Sequence, residues 1–190
     1  MNTPKDLTAV RTHMEEKARV RETLRQYARD AQHRSKRAIF AYHRGNATDA
    51  KNLLKEAEAS LKKAREAIKP FPELLEAGMY REGIEEYVEA RLYEGFLTSQ
   101  KILPHRDEWG SVETYIGGLS DATGEVSRWA LGRATERDLD GVGSAAEFIN
   151  QTVEFFFSLD LTGHLRNKVD QAKKNLRTIE QIRYDLSLRQ

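Results

Sequence analysis

Glu82, Glu86 and Glu89 are separated by four and three residues, so on a helix turning 100° per residue they share one stripe roughly 60° wide. Carboxylates aligned in this way repel one another, by roughly a few tenths of a kcal/mol per pair in an isolated helix. They need water or a cation to offset that cost. Ile84, Tyr87 and Val88 point the opposite way, and Tyr93, Phe96 and Leu97 continue near the stripe itself. Periodicity alone leaves two readings open, a solvated acidic face and a partly enclosed site for a hard cation such as Mg²⁺. A second pair, Asp121 and Glu125, lies four residues apart, with Tyr115, Leu119, Ala122, Val126 and Ala130 on the other side of its helix. Thr114, Gly117, Gly118 and Gly132 run along the pair's own face. Three glycines there cost roughly 1 kcal/mol each relative to alanine, which close approach of another helix or of a ligand backbone would explain. Arg128 shares this face and either holds a phosphate or pairs with Glu125.

Other chemistries find no support. The five histidines, His13, His33, His43, His105 and His164, form neither HExxH nor Glu-x-x-His, which disfavours a redox-metal bundle and leaves them as surface residues. No GxxxxGK[ST], GxGxxG or GxSxG motif is present, so nucleotide hydrolysis, dehydrogenation and serine hydrolysis drop out. Zero cysteines remove disulfides and thiolate metal sites. Arg21, Arg25, Arg29 and Lys36 cluster on one helix face at spacings of four, four and seven. Such a stripe is either a phosphate-binding track or plain solvated surface.

Few breakers interrupt the elements that must position these groups. The pattern predicts a helix from about residue 6 to 44, with Val20, Leu24, Tyr27, Ala31, Ala38 and Tyr42 on one face, stopped by Gly45-Asn46. A second spans about 48 to 69, carrying Leu53, Leu54, Ala57, Leu61, Ala64 and Ile68, and ends at Pro70-Phe71-Pro72. A third runs from about 74 to 103, before Pro104. Ser111 caps a fourth, to about 133. A short helix is expected near Arg137 and a break over Gly141 to Gly143. Ser144-Ala145-Ala146-Glu147 then reads as a capping box opening a helix through Phe155, Phe156 and Phe157. The last helix covers about 162 to 188. Six long or medium helices and one short one predict an all-α bundle, a single domain over residues 1–190.

Charge is distributed unevenly. Residues 1–69 hold 17 Lys and Arg against 9 Asp and Glu, whereas residues 70–154 hold 7 against 17. A basic arm suits a polyanion and an acidic middle suits a divalent cation, so one chain carries what a metal-dependent nuclease needs, although a solvated bundle could show the same asymmetry. No run approaches the roughly 18 apolar residues of a membrane span, and Met1-Asn2-Thr3-Pro4-Lys5-Asp6 lacks the form of a secretion signal. A cytoplasmic chain without membrane contact is expected.

Glu85-Glu86-Tyr87-Val88-Glu89-Ala90 resembles the E-Y-V-E-A segment of the translin-associated factor X branch of the translin family. The stretch from Tyr115-Ile116-Gly117-Gly118 through Asp121-Ala122-Thr123-Gly124-Glu125-Val126-Ser127-Arg128 is similar to that branch's Y-L-x-G-V-x-D-L-T-G-E-L-x-R. Translin itself has a comparable stretch without the aspartate. The close, with Tyr184-Asp185-Leu186-Ser187-Leu188-Arg189, looks like the family's C-terminal helix. The resemblance implies a seven-helix translin-like fold, assembly into a hollow oligomer, RNA or single-stranded DNA binding and, in the factor X branch, Mg²⁺-dependent endoribonuclease activity. It places the catalytic carboxylates on Glu86, Glu89 and Asp121, with Glu125 as a neighbouring candidate; the helix stripe adds Glu82 to the metal-site candidates, and hard oxygen ligands suit Mn²⁺ as well as Mg²⁺. Arg21, Arg25, Arg29, Lys36 and Arg128 are the candidates for contacting RNA, single-stranded or duplex. A homo-oligomer is expected, with a translin-like partner subunit as an alternative. The rival reading is a non-catalytic translin-like scaffold that binds RNA or single-stranded DNA.

Overall fold

A computed structural model describes residues 5–188. Residues 1–4 and 189–190, which include most of the start read for a secretion signal and the end of the C-terminal motif, lie outside the described residues. The described chain is all-α. Its helices are α1 (Lys5–His43), α2 (Ala47–Ala67), α3 (Gly78–Ser99), α4 (Val112–Thr135), α5 (Leu139–Phe157) and α6 (Gly163–Ser187), with 3₁₀ turns at Pro72–Glu76 and Asp107–Trp109. α3 and α4 pack against each other in the middle, with α1 on the outer side of α3 and α5 and α6 beside α4.

Small residues set how closely the helices approach. α1 turns Ala28, Ala31, Ala38 and Ala41 inward beside Leu24, all of them buried. Opposite Ala28 lies Gly83 of α3, where a Cβ would stand 2.8 Å from the Ala28 carbonyl oxygen. The glycines of α4 do the same work against the other side of α3. A Cβ at Gly118 would meet Val88 Cγ1 at 2.8 Å, and one at Gly117 would collide with the Glu85 carboxylate. The close approach expected of this face is therefore helix against helix, while Gly132 faces open space. Phe96, Phe148 and Trp129 meet edge to face and tie α3, α5 and α4 together.

Most terminators fall where sequence places them. Gly45 takes a left-handed φ of 75°; its N–H donates to Tyr42 O and that of Asn46 to Ala41 O, each at 2.9 Å, closing α1. Asn46 then caps α2 by accepting from Asp49 N. Ser111 caps α4 through Thr114 N. Three expectations are corrected. Residues 74–76 belong to a 3₁₀ turn, and α3 stops at Ser99 rather than Leu103. The cause is Leu103, which folds back over Gly95, with Gln100 taking φ 56° to make the turn. No short helix forms near Arg137, which instead adopts φ 59° in a tight turn between α4 and α5. Finally, Gly141 to Gly143 are not a break and Ser144 is not a cap. α5 begins at Leu139, capped by Asp138, whose carboxylate accepts from Gly141 N at 2.8 Å. Burying Val142, Ala145, Ala146, Ile149 and Val153 on one face outweighs the poor helix propensity of two glycines.

Candidate carboxylate site

α3 presents Glu85, Glu86 and Glu89 toward α4, which presents Asp121 and Glu125. The resulting cluster sits between α1 and α6. A cleft of about 200 Å³ opens onto it, lined by Glu86, Glu89, Glu125, Lys36, Ile39, Phe40 and Arg128. Glu82, expected in the same pocket, is exposed and does not line it. It lies one helical turn, about 6 Å, before Glu86 along α3, and Lys36, Phe40, Glu125 and Arg128 close the cleft around Glu86 and Glu89 instead.

Each carboxylate but one has a basic partner. Glu86 faces Lys36 of α1 at 3.4 Å. Glu125 accepts from His43 Nε2 at 2.5 Å and lies 3.9 Å from Arg128. His43 is fixed in turn by Tyr93, whose hydroxyl lies 3.2 Å from Nδ1. Asp121 and Glu85 share the ammonium of Lys168, on α6, at 2.5 and 2.6 Å. Glu89 has no hydrogen bond or ion pair with any described residue.

Electrostatics follow from that arrangement. Burial pushes the Glu89 carboxyl up to about 9, helped by the negative charges of Glu86, Asp121 and Glu125 and opposed by Lys168. Glu86 is raised chiefly by burial, with Lys36 pulling it back and Asp121 and Glu125 pushing it further up. Asp121 is raised by burial as well. Lys168 lowers it, but Glu85 crowds the same ammonium, and two carboxylates on one cation leave one of them under-compensated. Burial works against the charge on Lys168, yet its two partners outweigh that and hold its pKa above the ordinary lysine value. As the side chains stand, no three histidine, aspartate or glutamate groups among the described residues converge at metal-ligating distance. The donor set is nonetheless oxygen-rich and short of positive charge at its centre, which is the chemistry that suits Mg²⁺ or Mn²⁺.

The basic residues divide. Lys36 and Arg128 belong to the cleft. Arg21, Arg25 and Arg29 are exposed along α1, with Arg25 pairing with Glu22 at 2.9 Å. The 1.5 Å rise per residue puts Arg21 roughly 22 Å from Lys36 along the axis. Tyr115 is buried, stacked on Trp109, and donates its hydroxyl hydrogen to Leu103 O at 2.8 Å, so it serves the core. Sequence reasoning missed Lys168, His43 and the role of Glu85. Glu85 sits inside the recognised motif; Lys168 and His43 carry no local signal, because what matters is contact across 47 and 82 residues of chain.

An all-helical fold whose two central helices pool their carboxylates defines a class of helical proteins with an acidic cleft. Residues 19–190 match the family model described as the Translin family, and the chain belongs to that family. Translin-associated protein X of Pongo abelii is 26% identical over 210 residues, covering 88% of this chain and 72% of that protein. The Mus musculus protein of the same name is 25% identical over the same shares. Among solved structures, apo-NeC3PO superposes with a TM-score of 0.87 at 18% identity, covering 98% of this chain and all of the other. The AfC3PO complex with duplex RNA gives 0.83 at 22% identity, over 97% and 98%. These likenesses show the fold. Among the described residues, no helix is long and apolar enough to cross a membrane.

Proposed function

We propose that the chain is a subunit of a translin-type oligomer that binds RNA and hydrolyses its backbone with a divalent cation held by Glu86, Glu89 and Asp121, with Glu125 alongside. The observation that carries this reading is Glu89, a largely buried carboxyl with no basic partner among the described residues, surrounded by three other acidic groups. An uncompensated acid of this kind is costly unless a cation arrives. The similarity to proteins named Translin-associated protein X, and to a fold seen with duplex RNA, supports the same reading. Exposed Phe155, Phe157, Tyr184 and Leu188 support assembly, as a homo-oligomer or with a translin-like partner.

Bound there, Mg²⁺ or Mn²⁺ would polarise a non-bridging phosphate oxygen and acidify an attacking water. Lys36 and Arg128, at the cleft mouth, neutralise the backbone on either side of the scissile phosphate. His43 and Tyr93 fix Glu125, and Lys168 fixes Asp121, so the ligand carboxylates are held before substrate arrives. Water oxygen bonds to phosphorus as the P–O3′ bond breaks. The water proton passes to solvent and the 3′ oxygen leaves as a hydroxyl, giving a 5′-phosphate on the downstream fragment.

The scaffold reading has its own support, since Lys168 already neutralises Asp121 and no three ligands converge. Incubating the purified protein with labelled single-stranded RNA in Mg²⁺, Mn²⁺ and EDTA separates the two. Cleavage should require the ion and vanish in Glu89→Ala and in Asp121→Ala, with RNA affinity and particle size nearly intact, because affinity comes mainly from basic residues. Cleavage at the wild-type rate by either variant, or binding without cleavage in both metals, replaces the enzyme with the scaffold.

A further inference from the structure

Phe40 stands with its ring in solvent at the rim of the carboxylate cleft. It exposes 55% of its surface, while its neighbour Ile39 exposes 6%. At 100° per residue, Arg25, Arg29, Lys36 and Phe40 lie within roughly 60° of one another on α1, and all four are exposed. The basic stripe therefore runs along the helix and ends in an aromatic ring. That ring lines the cleft together with Glu86, Glu89 and Glu125. The Arg128 guanidinium lies 5.3 Å from the ring centroid and 3.9 Å from Glu125, so ring, cation and carboxylate follow one another across the opening.

We propose that Phe40, flanked by Arg128, is a stacking platform for one unpaired base of single-stranded RNA, seated beside the phosphate that the carboxylates address. One phenyl face accepts any base, while the Arg128 guanidinium covers the ring's other face. Lys36 lies one helical turn, about 6 Å, before Phe40, placed for the phosphate of the same nucleotide. A base inside a duplex already has both faces stacked and cannot offer one to the ring without unpairing. The platform thus selects single strands over duplex while remaining indifferent to sequence. Its position next to the scissile phosphate rests on the nuclease reading, whereas the stacking itself does not.

Binding is measured in EDTA by fluorescence anisotropy, with a labelled single-stranded oligonucleotide and with a duplex of equal length. Phe40→Ala should weaken single-strand binding about 10-fold, near the low end of what loss of one base stack costs, and leave duplex binding unchanged. Phe40→Trp should restore it. Equal binding of the single strand by wild type and Phe40→Ala overturns the proposal, as does equal loss for strand and duplex. Light scattering gives a further arm, because a change of particle size in Phe40→Ala would place the ring in a subunit contact. Failure of the nuclease reading appears separately, as intact RNA after incubation of the wild type with Mg²⁺ and Mn²⁺.

Discussion

Replacing Glu89 with glutamine should stabilise the metal-free protein, by an amount that grows with pH. Glu89 is held up to about 9 in the folded chain and returns toward the ordinary value of 4.5 when the chain unfolds. Between those limits the folded state keeps a proton that the unfolded state has released. Stability from this group is therefore complete below pH 4.5 and is lost progressively until the pH passes the folded value. At about 1.4 kcal/mol per pH unit, the loss at pH 7 is about 3 kcal/mol, and at pH 5.5 only about 1 kcal/mol. Glutamine has the shape of the protonated acid and does not titrate, so the variant escapes the loss. Urea denaturation in EDTA at pH 5.5, 6.5 and 7.5, at one fixed protein concentration, reads the difference directly. With slopes of about 1–3 kcal/mol per molar urea, the midpoint of Glu89→Gln should exceed that of wild type by about 1 M or more near neutrality. The gap should close toward pH 5. Mg²⁺ should reverse the order, stabilising the wild type and leaving the variant little changed. Parallel curves for the two proteins across this range would refute the reasoning, since they would mean that Glu89 is ionised and compensated in the folded chain.

Gly83→Ala should destabilise by about 1–2 kcal/mol even though alanine is the better helix former, because its Cβ meets backbone atoms of Ala28 that cannot swing aside. A melting point lowered by roughly 2–8 °C is expected. Gly132→Ala, with nothing within 4 Å, should raise it slightly, and equal effects at both positions would contradict the packing described. Reversing charge at Arg25 and Arg29 together should weaken binding of unrelated RNA sequences alike and flatten the dependence of log affinity on log salt by about 1.4 for a single strand. An unchanged slope in titrations at several salt concentrations moves the RNA track off α1.

The helical bundle is legible because its signals are local and repeated. Leu24, Ala31, Ala38 and Tyr42 recur at helical spacing and are buried, and Gly45, Asn46 and Ser111 mark ends by their own hydrogen bonding. The failure at α5 has a tertiary cause. Gly141, Gly143 and Ser144 carry strong local preferences for a break and a cap, and the apolar face from Val142 to Val153 overrides them. At the site, spacing on single helices brings Glu86 with Glu89 and Asp121 with Glu125. It also adds Glu82, because equal angles on a helix do not say how far along α3 the cleft extends, and Glu82 is exposed one turn before Glu86. Lys168 and His43 could not be found this way, since their roles exist only once α6 and α1 lie against α3 and α4.

The ammonium of Lys168 also fixes an order in time. Glu85, Glu86 and Glu89 leave the ribosome roughly 80 residues before Lys168, an interval of about 4–16 s at ordinary synthesis rates. α4 is complete at Thr135, 33 residues before Lys168, and until Lys168 follows, the cation that Asp121 and Glu85 share is missing. The last helix described thus supplies the cation that Asp121 and Glu85 share, and a nascent chain lacking α6 carries those two carboxylates without it however well its first four helices have packed.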